Sequence, residues 1–255
     1  MKTDRMPVLF IGHGSPMNAI ETNSFSLEWQ RLGREIPKPK KILAISAHWF
    51  TDYQAVRTAK ENRQINDMYG FPEELYNIHY TPSGDKPLAD KVISLTNAKA
   101  DNNWGIDHGV WAVLYRMYPN ADIPVVMLST DLKAESETLY ERGKALRSLR
   151  EEGVLIVASG NVVHNLALCN YEMENKGYPW AIKYDEEIAK AVKERDKEVL
   201  FSFSSLENSS KAFNSEEHFR PLLYAVGAAD KDDKVTTVNM KYTYGALSMT
   251  SFVFN

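Results

Sequence analysis

Residues 7–14 read Pro-Val-Leu-Phe-Ile-Gly-His-Gly, and residues 41–48 read Lys-Ile-Leu-Ala-Ile-Ser-Ala-His. Each is a short apolar run without polar alternation, and each ends in small residues with a histidine just beyond. Such runs mark strands buried on both faces, as in a sheet covered by helices on either side. Residues 124–128 (PVVML) and 154–159 (VLIVAS) repeat the pattern, the second halted by Gly160-Asn161. Between them lie segments with helical patterning: 25–36, closed by Pro37-Lys38-Pro39; 86–95; 109–117; and 133–152, stopped by Gly153. A further helix is expected over 180–203 in two pieces, and another over 215–228 with Ser215 as its N-cap. Residues 56–58 read as a short third strand, 69–82 as a long loop rich in Tyr, Pro and Gly, and 170–179 as irregular. Residues 234–240 and 246–254 alternate and read as two closing strands.

Strands separated by helices of this length need crossover connections. The expected fold class is therefore α/β: a single three-layer α/β/α domain with a mostly parallel central sheet, spanning residues 1–255. No internal repeat, low-complexity tract or linker divides the chain. In such sheets ligands bind beyond the carboxyl ends of the strands.

Composition narrows the function classes. The chain has 255 residues, 44% hydrophobic and 25% charged, which excludes a disordered or collagen-like polymer. Thirty Lys+Arg against 34 Asp+Glu give a net charge of −4, so no nucleic-acid or anionic-membrane partner is expected. Cys169 is the one cysteine, so no intrachain disulfide can form, and a reducing, cytoplasmic setting fits. The apolar run Val8-Leu9-Phe10-Ile11 is too short for a signal-peptide core or a membrane span.

There are six histidines: 13, 48, 79, 108, 164 and 218. His13 and His48 directly follow strands, and His164 lies four residues beyond Gly160. His108 precedes the helix at 109–117, and His218 sits at the start of another beside Glu216 and Glu217. Imidazoles mounted at strand ends suit one divalent metal ion, Fe2+ or Zn2+, with coordination positions left open for chemistry. His79, in the aromatic loop, is a candidate pocket wall or substrate contact. The segment Gly12-His13-Gly14-Ser15-Pro16 lacks the Gly-Lys-Ser/Thr ending of a phosphate loop, and Ser15 is not in a Gly-x-Ser-x-Gly elbow. Cys169 reads as filler. Trp49, Phe50, Tyr69, Phe71, Trp111 and Tyr244 could line a flat pocket for a ring, although each also reads as ordinary core. On these residues alone, a zinc hydrolase working through metal-bound hydroxide is as admissible as an oxygenase.

Seven segments in order resemble one family: GHGSP (12–16), ISAHW (45–49), YGFP (69–72), DHGVW (107–111), SGNVVHNL (159–166), EHFRPLLYAVGA (217–228) and YGALSMTSF (244–252). Together they resemble the class III extradiol ring-cleavage dioxygenases, in particular the 4,5-DOPA dioxygenase extradiol branch. The resemblance implies a non-haem metal enzyme that opens a catechol-type ring with O2 to a muconic semialdehyde. It implies His13, His48, His164 and His218 around the metal, with Glu217 as the alternative to His218. It also implies His108 and His164 as the catalytic, proton-handling residues. The implied partners are a small aromatic diol and O2.

Overall fold

The computed structural model describes residues 5–255. The strands are β1 (Val8–Gly12), β2 (Lys41–Thr51), β3 (Ala55–Val56), β4 (Lys99–Ala100), β5 (Val125–Asp131), β6 (Val154–Gly160), β7 (Val235–Val238), β8 (Tyr242–Thr243), β9 (Leu247–Ser248) and β10 (Ser251–Phe254). The helices are α1 (Ser24–Glu35), α2 (Glu73–Tyr76), α3 (Lys86–Thr96), α4 (His108–Met117), α5 (Ser136–Leu146), α6 (Pro179–Glu194), α7 (Lys197–Phe201), α8 (Ser209–Ala212) and α9 (Arg220–Ala228). The main sheet has the order β4-β3-β5-β2-β6-β1-β10-β7, and β8 and β9 form a separate small ribbon.

Four apolar runs make the centre of the sheet. β5, β2, β6 and β1 are parallel, and their side chains alternate between two cores. Val8, Phe10, Leu43, Ile45, Val126, Leu128 and Ile156 face α3, α5, α6 and α9. Leu9, Ile11, Ile42, Ala44, Val125, Met127 and Leu155 face α1 and α4. Both faces are dry, which is why these runs show no polar alternation. The expected α/β/α layering is thus observed. The closing strands depart from the parallel rule: β10 pairs antiparallel with β1, and β7 with β10. No helix among the described residues is long and apolar enough to cross a membrane.

Several boundaries differ from the sequence reading. The third strand is Ala55–Val56, joined to β5 through a single antiparallel pair, Val56–Leu128. The long loop contains α2, and the 133–152 helix tightens into a 3-10 turn over Arg147–Glu152 before Gly153. The last closing strand is broken by Met249-Thr250 into β9 and β10. The 215–228 helix begins as a separate 3-10 turn, Glu216–His218, and the Ser215 side chain makes no capping bond.

That break matters to function. Pro221, at the start of α9, lacks the N–H of a continuing helix, and the detached turn carries His218 across the end of the sheet.

Candidate metal centre

The site grows from strand register. Gly12 pairs with Gly160, Ser46 with Ser159 and Ser46 with Ser129, so β1, β6, β2 and β5 end level. His13 is the next residue after β1. His48 needs more, because β1 and β2 are two strand spacings apart, about 9–10 Å. A bulge supplies it. Ser46 pairs with Ser129 but Phe50 with Thr130, so residues 47–49 bow out of the ladder. Bulges re-aim side chains in this way. Asp107 steadies this one: its carboxylate accepts from the Ser46 hydroxyl at 2.8 Å and from Trp104 Nε1 at 3.0 Å, while Ser46 Oγ accepts the His48 amide at 3.1 Å.

The detached turn brings in His218. Gly160 makes this possible, since a Cβ there would lie 2.1 Å from the His218 carbonyl oxygen. The same carbonyl accepts the Asn161 amide at 2.9 Å. Gly160→Ala is therefore expected to push the turn off the sheet, at about 1–3 kcal/mol of overpacking. Thermal melts with and without Zn2+ should show both a lower Tm and a smaller stabilisation by the ion. An unchanged Zn2+ response would contradict this packing role.

Five imidazoles gather at this rim. The ring centroids of His13 and His48 are 4.9 Å apart, His13 and His218 5.2 Å, His48 and His218 5.1 Å, and His48 and His108 4.2 Å. His164 lies flat on His218, 3.6 Å away and 4° from parallel. His79 is exposed and makes no ring contact with the cluster among the described residues. Of the other aromatics, Trp111 and Trp49 are core, whereas Tyr69 and Phe50 are exposed. Cys169 is half-buried, with its thiol pushed up to about 11 by burial, which fits filler and not a nucleophile.

The hydrogen bonds fix where the protons are. Ser159 donates its hydroxyl to the Gly109 carbonyl, so its Oγ can only accept from His13 Nδ1, at 3.0 Å. His48 Nδ1 donates to Asp67 Oδ2 at 2.6 Å, and His218 Nδ1 to Glu217 Oε1 at 3.1 Å. All three rings thus carry a proton on Nδ1 and turn Nε2 inward. The Nε2 atoms of His13 and His48 face each other at 3.1 Å, and that of His218 is buried without a partner.

Two Nε2 atoms this close either share a proton in a hydrogen bond or hold a cation between them. Ligands about 2.0–2.1 Å from one ion at angles between 90° and tetrahedral lie about 2.9–3.4 Å apart, so the 3.1 Å separation fits. Each of His13, His48 and His218 offers one ligand atom within 4.8 Å of the others. A second such group, His48, Asp67 and His108, is held at 2.6 and 2.9 Å by hydrogen bonds from ring N–H to carboxylate. His164 belongs to neither group, and Glu217 turns its carboxylate to His218 Nδ1.

Electrostatics favour neutral rings at His13 and His218. Burial, then the neighbouring His48 and His218, hold His13 well below the usual imidazole range. Burial, then His164 and His48, do the same to His218. Burial pushes His164 down to about 4. His48 goes the other way. Burial lowers it, but the bond to Asp67 and the nearby charges of Asp107, Asp67 and Glu217 outweigh that. Burial raises Asp67, yet bonds from His108 and His48 hold it far below the usual carboxylate range. Asp67 and Asp107 were not singled out from sequence; Asp67 sits in a loop with no periodicity, and only the DHG triplet hinted at Asp107.

Over residues 7–255 the chain matches the family described as the catalytic LigB subunit of aromatic ring-opening dioxygenase. It belongs to that family. It is 39% identical to a 4,5-DOPA dioxygenase extradiol of Escherichia coli strain K12, covering 98% of this chain and 95% of that protein. It is 35% identical to a 4,5-DOPA dioxygenase extradiol of Beta vulgaris, over 96% and 95%. The crystal structure of an uncharacterised protein from Escherichia coli K12 superposes with a TM-score of 0.86 at 36% identity, covering 98% of this chain and all of that one. The chain is thus an aromatic ring-opening dioxygenase by family, with a histidine-rich rim at the carboxyl ends of its parallel strands.

Proposed function

We propose that this chain, acting as one catalytic domain over residues 1–255, opens a catechol-type ring beside its two hydroxyls and inserts both atoms of O2, giving a muconic semialdehyde. The diol is of the DOPA kind, the substrate named for the relatives above. The observation that carries the proposal is the convergence of three imidazoles, His13, His48 and His218, each with a ligand atom within 4.8 Å of the others, in a family of ring-opening dioxygenases. These three would hold one divalent ion, Fe2+ as the working metal and Zn2+ as a redox-silent substitute. A bound Fe2+ supplies a Lewis acid for the two adjacent oxygens of the diol and the electron transfer that O2 requires.

The protein's own share is orientation and proton transfer. Ser159, Asp67 and Glu217 each accept a hydrogen bond from an Nδ1–H and so aim an Nε2 inward. His108 and His164 are the proton acceptors for the diol. His164, neutral at physiological pH, has its ring stacked on His218, so its edge lies alongside that ligand and does not converge with it, which supports acceptor over fourth ligand. Aromatic O2 chemistry in a chain with one half-buried thiol suits a reducing, cytoplasmic setting.

The test is reconstitution with Fe2+ under anaerobic conditions, then a panel of catechols supplied with O2. Stoichiometric O2 uptake with a yellow ring-opened product is expected. If no catechol consumes O2 while the Zn2+ form hydrolyses esters or amides under argon, the hydrolase reading replaces this one.

A further inference from the structure

We infer that Asp67 is a positioning residue that fixes two imidazoles at once, the cation-facing His48 and the proton-accepting His108; the inference rests on the ring-opening reading above. One oxygen, Oδ2, accepts from His48 Nδ1 at 2.6 Å. The other, Oδ1, accepts from His108 Nδ1 and from the His108 backbone N–H, each at 2.9 Å. An ionised carboxylate can only accept. Both rings therefore carry a proton on Nδ1, and each turns Nε2 away from Asp67. In His48 that Nε2 meets Nε2 of His13 at 3.1 Å. The His108 side chain keeps 10% of its surface accessible, whereas the Nε2 atom of His218 is fully buried.

The mount is stiff although Asp67 lies in a loop. Two residues earlier, the Ile65 amide donates to Ile106 O at 2.8 Å, and Ile65 O accepts Trp111 Nε1 at 3.0 Å. Gln64 ties the same loop to Ile78 O at 2.9 Å and to the Tyr80 amide at 2.6 Å. The loop is thus pinned to the segment before α4 and to α4 itself. Through the His108 amide, Asp67 also caps that helix. The rings of His48 and His108 meet edge to face, 85° apart, so neither can turn without moving the other. One carboxylate thereby makes cation binding and the readiness of the proton acceptor a single structural condition.

Asp67→Asn separates the two bonds. The carboxamide oxygen can still accept both His108 N–H groups. The carboxamide nitrogen then faces His48 Nδ1 as a donor, which drives the His48 proton to Nε2, where the cation would sit. In the full chain with 15N-labelled histidine, long-range proton–nitrogen spectra of the metal-free protein report the tautomer of each ring. The expected result is His48 moving to the Nε2–H form with His108 unchanged, and Zn2+ affinity in competition with a chelator falling about 10–100-fold. Asp67→Glu, which keeps a carboxylate, should restore the Nδ1–H form of His48 and part of the affinity; it also serves if the asparagine variant does not fold. Unchanged tautomers together with unchanged Zn2+ affinity in Asp67→Asn would overturn the inference. None of these readouts needs turnover, so failure of the ring-opening assay and failure of the Asp67 role are seen separately.

Discussion

Replacing His218 by alanine is expected to remove tight cation binding and to lower ring-opening turnover about a thousandfold or more, because a catalytic metal contributes several kcal/mol and each 1.4 kcal/mol is tenfold. The fold itself should tolerate the change. The His218 side chain is buried with Nε2 unpaired, so its removal takes no hydrogen bond from that nitrogen. The metal-free variant should therefore melt close to the metal-free parent. The difference appears on adding metal: the parent gains about 2.7 kcal/mol at a hundredfold excess over Kd, and the variant gains little. Glu217→Gln serves as the contrast. If Glu217 only orients His218 through the 3.1 Å bond to Nδ1, cation affinity should fall no more than about 10–100-fold. A His218→Ala protein that binds Zn2+ as tightly as the parent, or a Glu217→Gln protein that binds none, would reassign the third ligand.

The central strands and the site differ in how far one chain position predicts another. Val8–Gly12 and Val154–Gly160 are recognisable alone, because burial on both faces demands continuous apolar residues. The short strands are not: Ala55–Val56 and Lys99–Ala100 are two residues each, and only tertiary pairing makes them strands. His13 could be placed at the sheet's rim from sequence because it follows a strand directly. His48 could be placed near the rim, but not aimed, since the bulge at 47–49 shows only in the paired register. The choice between Glu217 and His218 depends on a 3-10 turn one residue short of α9, a detail no helical periodicity reveals. Asp67 is the clearest case. Its role exists only because Ile65 pairs with Ile106, 41 positions away in the chain, and nothing local to residue 67 announces that.

At the opposite edge of the sheet, Arg150→Met is expected to destabilise the protein by about 3–5 kcal/mol, since it takes the buried cation from a buried carboxylate and leaves it only the more exposed Arg5. Arg150 is fully buried, and its guanidinium donates to Asp233 Oδ2 at 2.6 Å and to Met6 O at 2.7 Å. Asp233 also accepts from the Asp230 amide at 2.7 Å and from Arg5. The pair thus joins the entry to β1, the end of α5 and the loop before β7. Burial raises Asp233, but the bond to Arg150, the Asp230 amide and the charges of Arg150 and Arg5 together outweigh it and leave the carboxyl below its ordinary value. The sign of the pH effect follows: this carboxylate stabilises the fold above the ordinary Asp pKa, and the contribution is lost as pH falls through the lower folded value. At about 2–4 °C per kcal/mol for a chain of this size, Tm should drop by roughly 6–20 °C. Arg150→Met with Asp233→Leu should cost less than Arg150→Met alone, because the buried charge that lost its partner is gone. Urea melts of the three proteins would test this, and a single-variant loss under about 1 kcal/mol would be incompatible with a buried charge deprived of its buried partner. Because the pair lies where the parallel strands begin and the histidines lie where they end, turnover per folded molecule should be unaffected at temperatures below the melt.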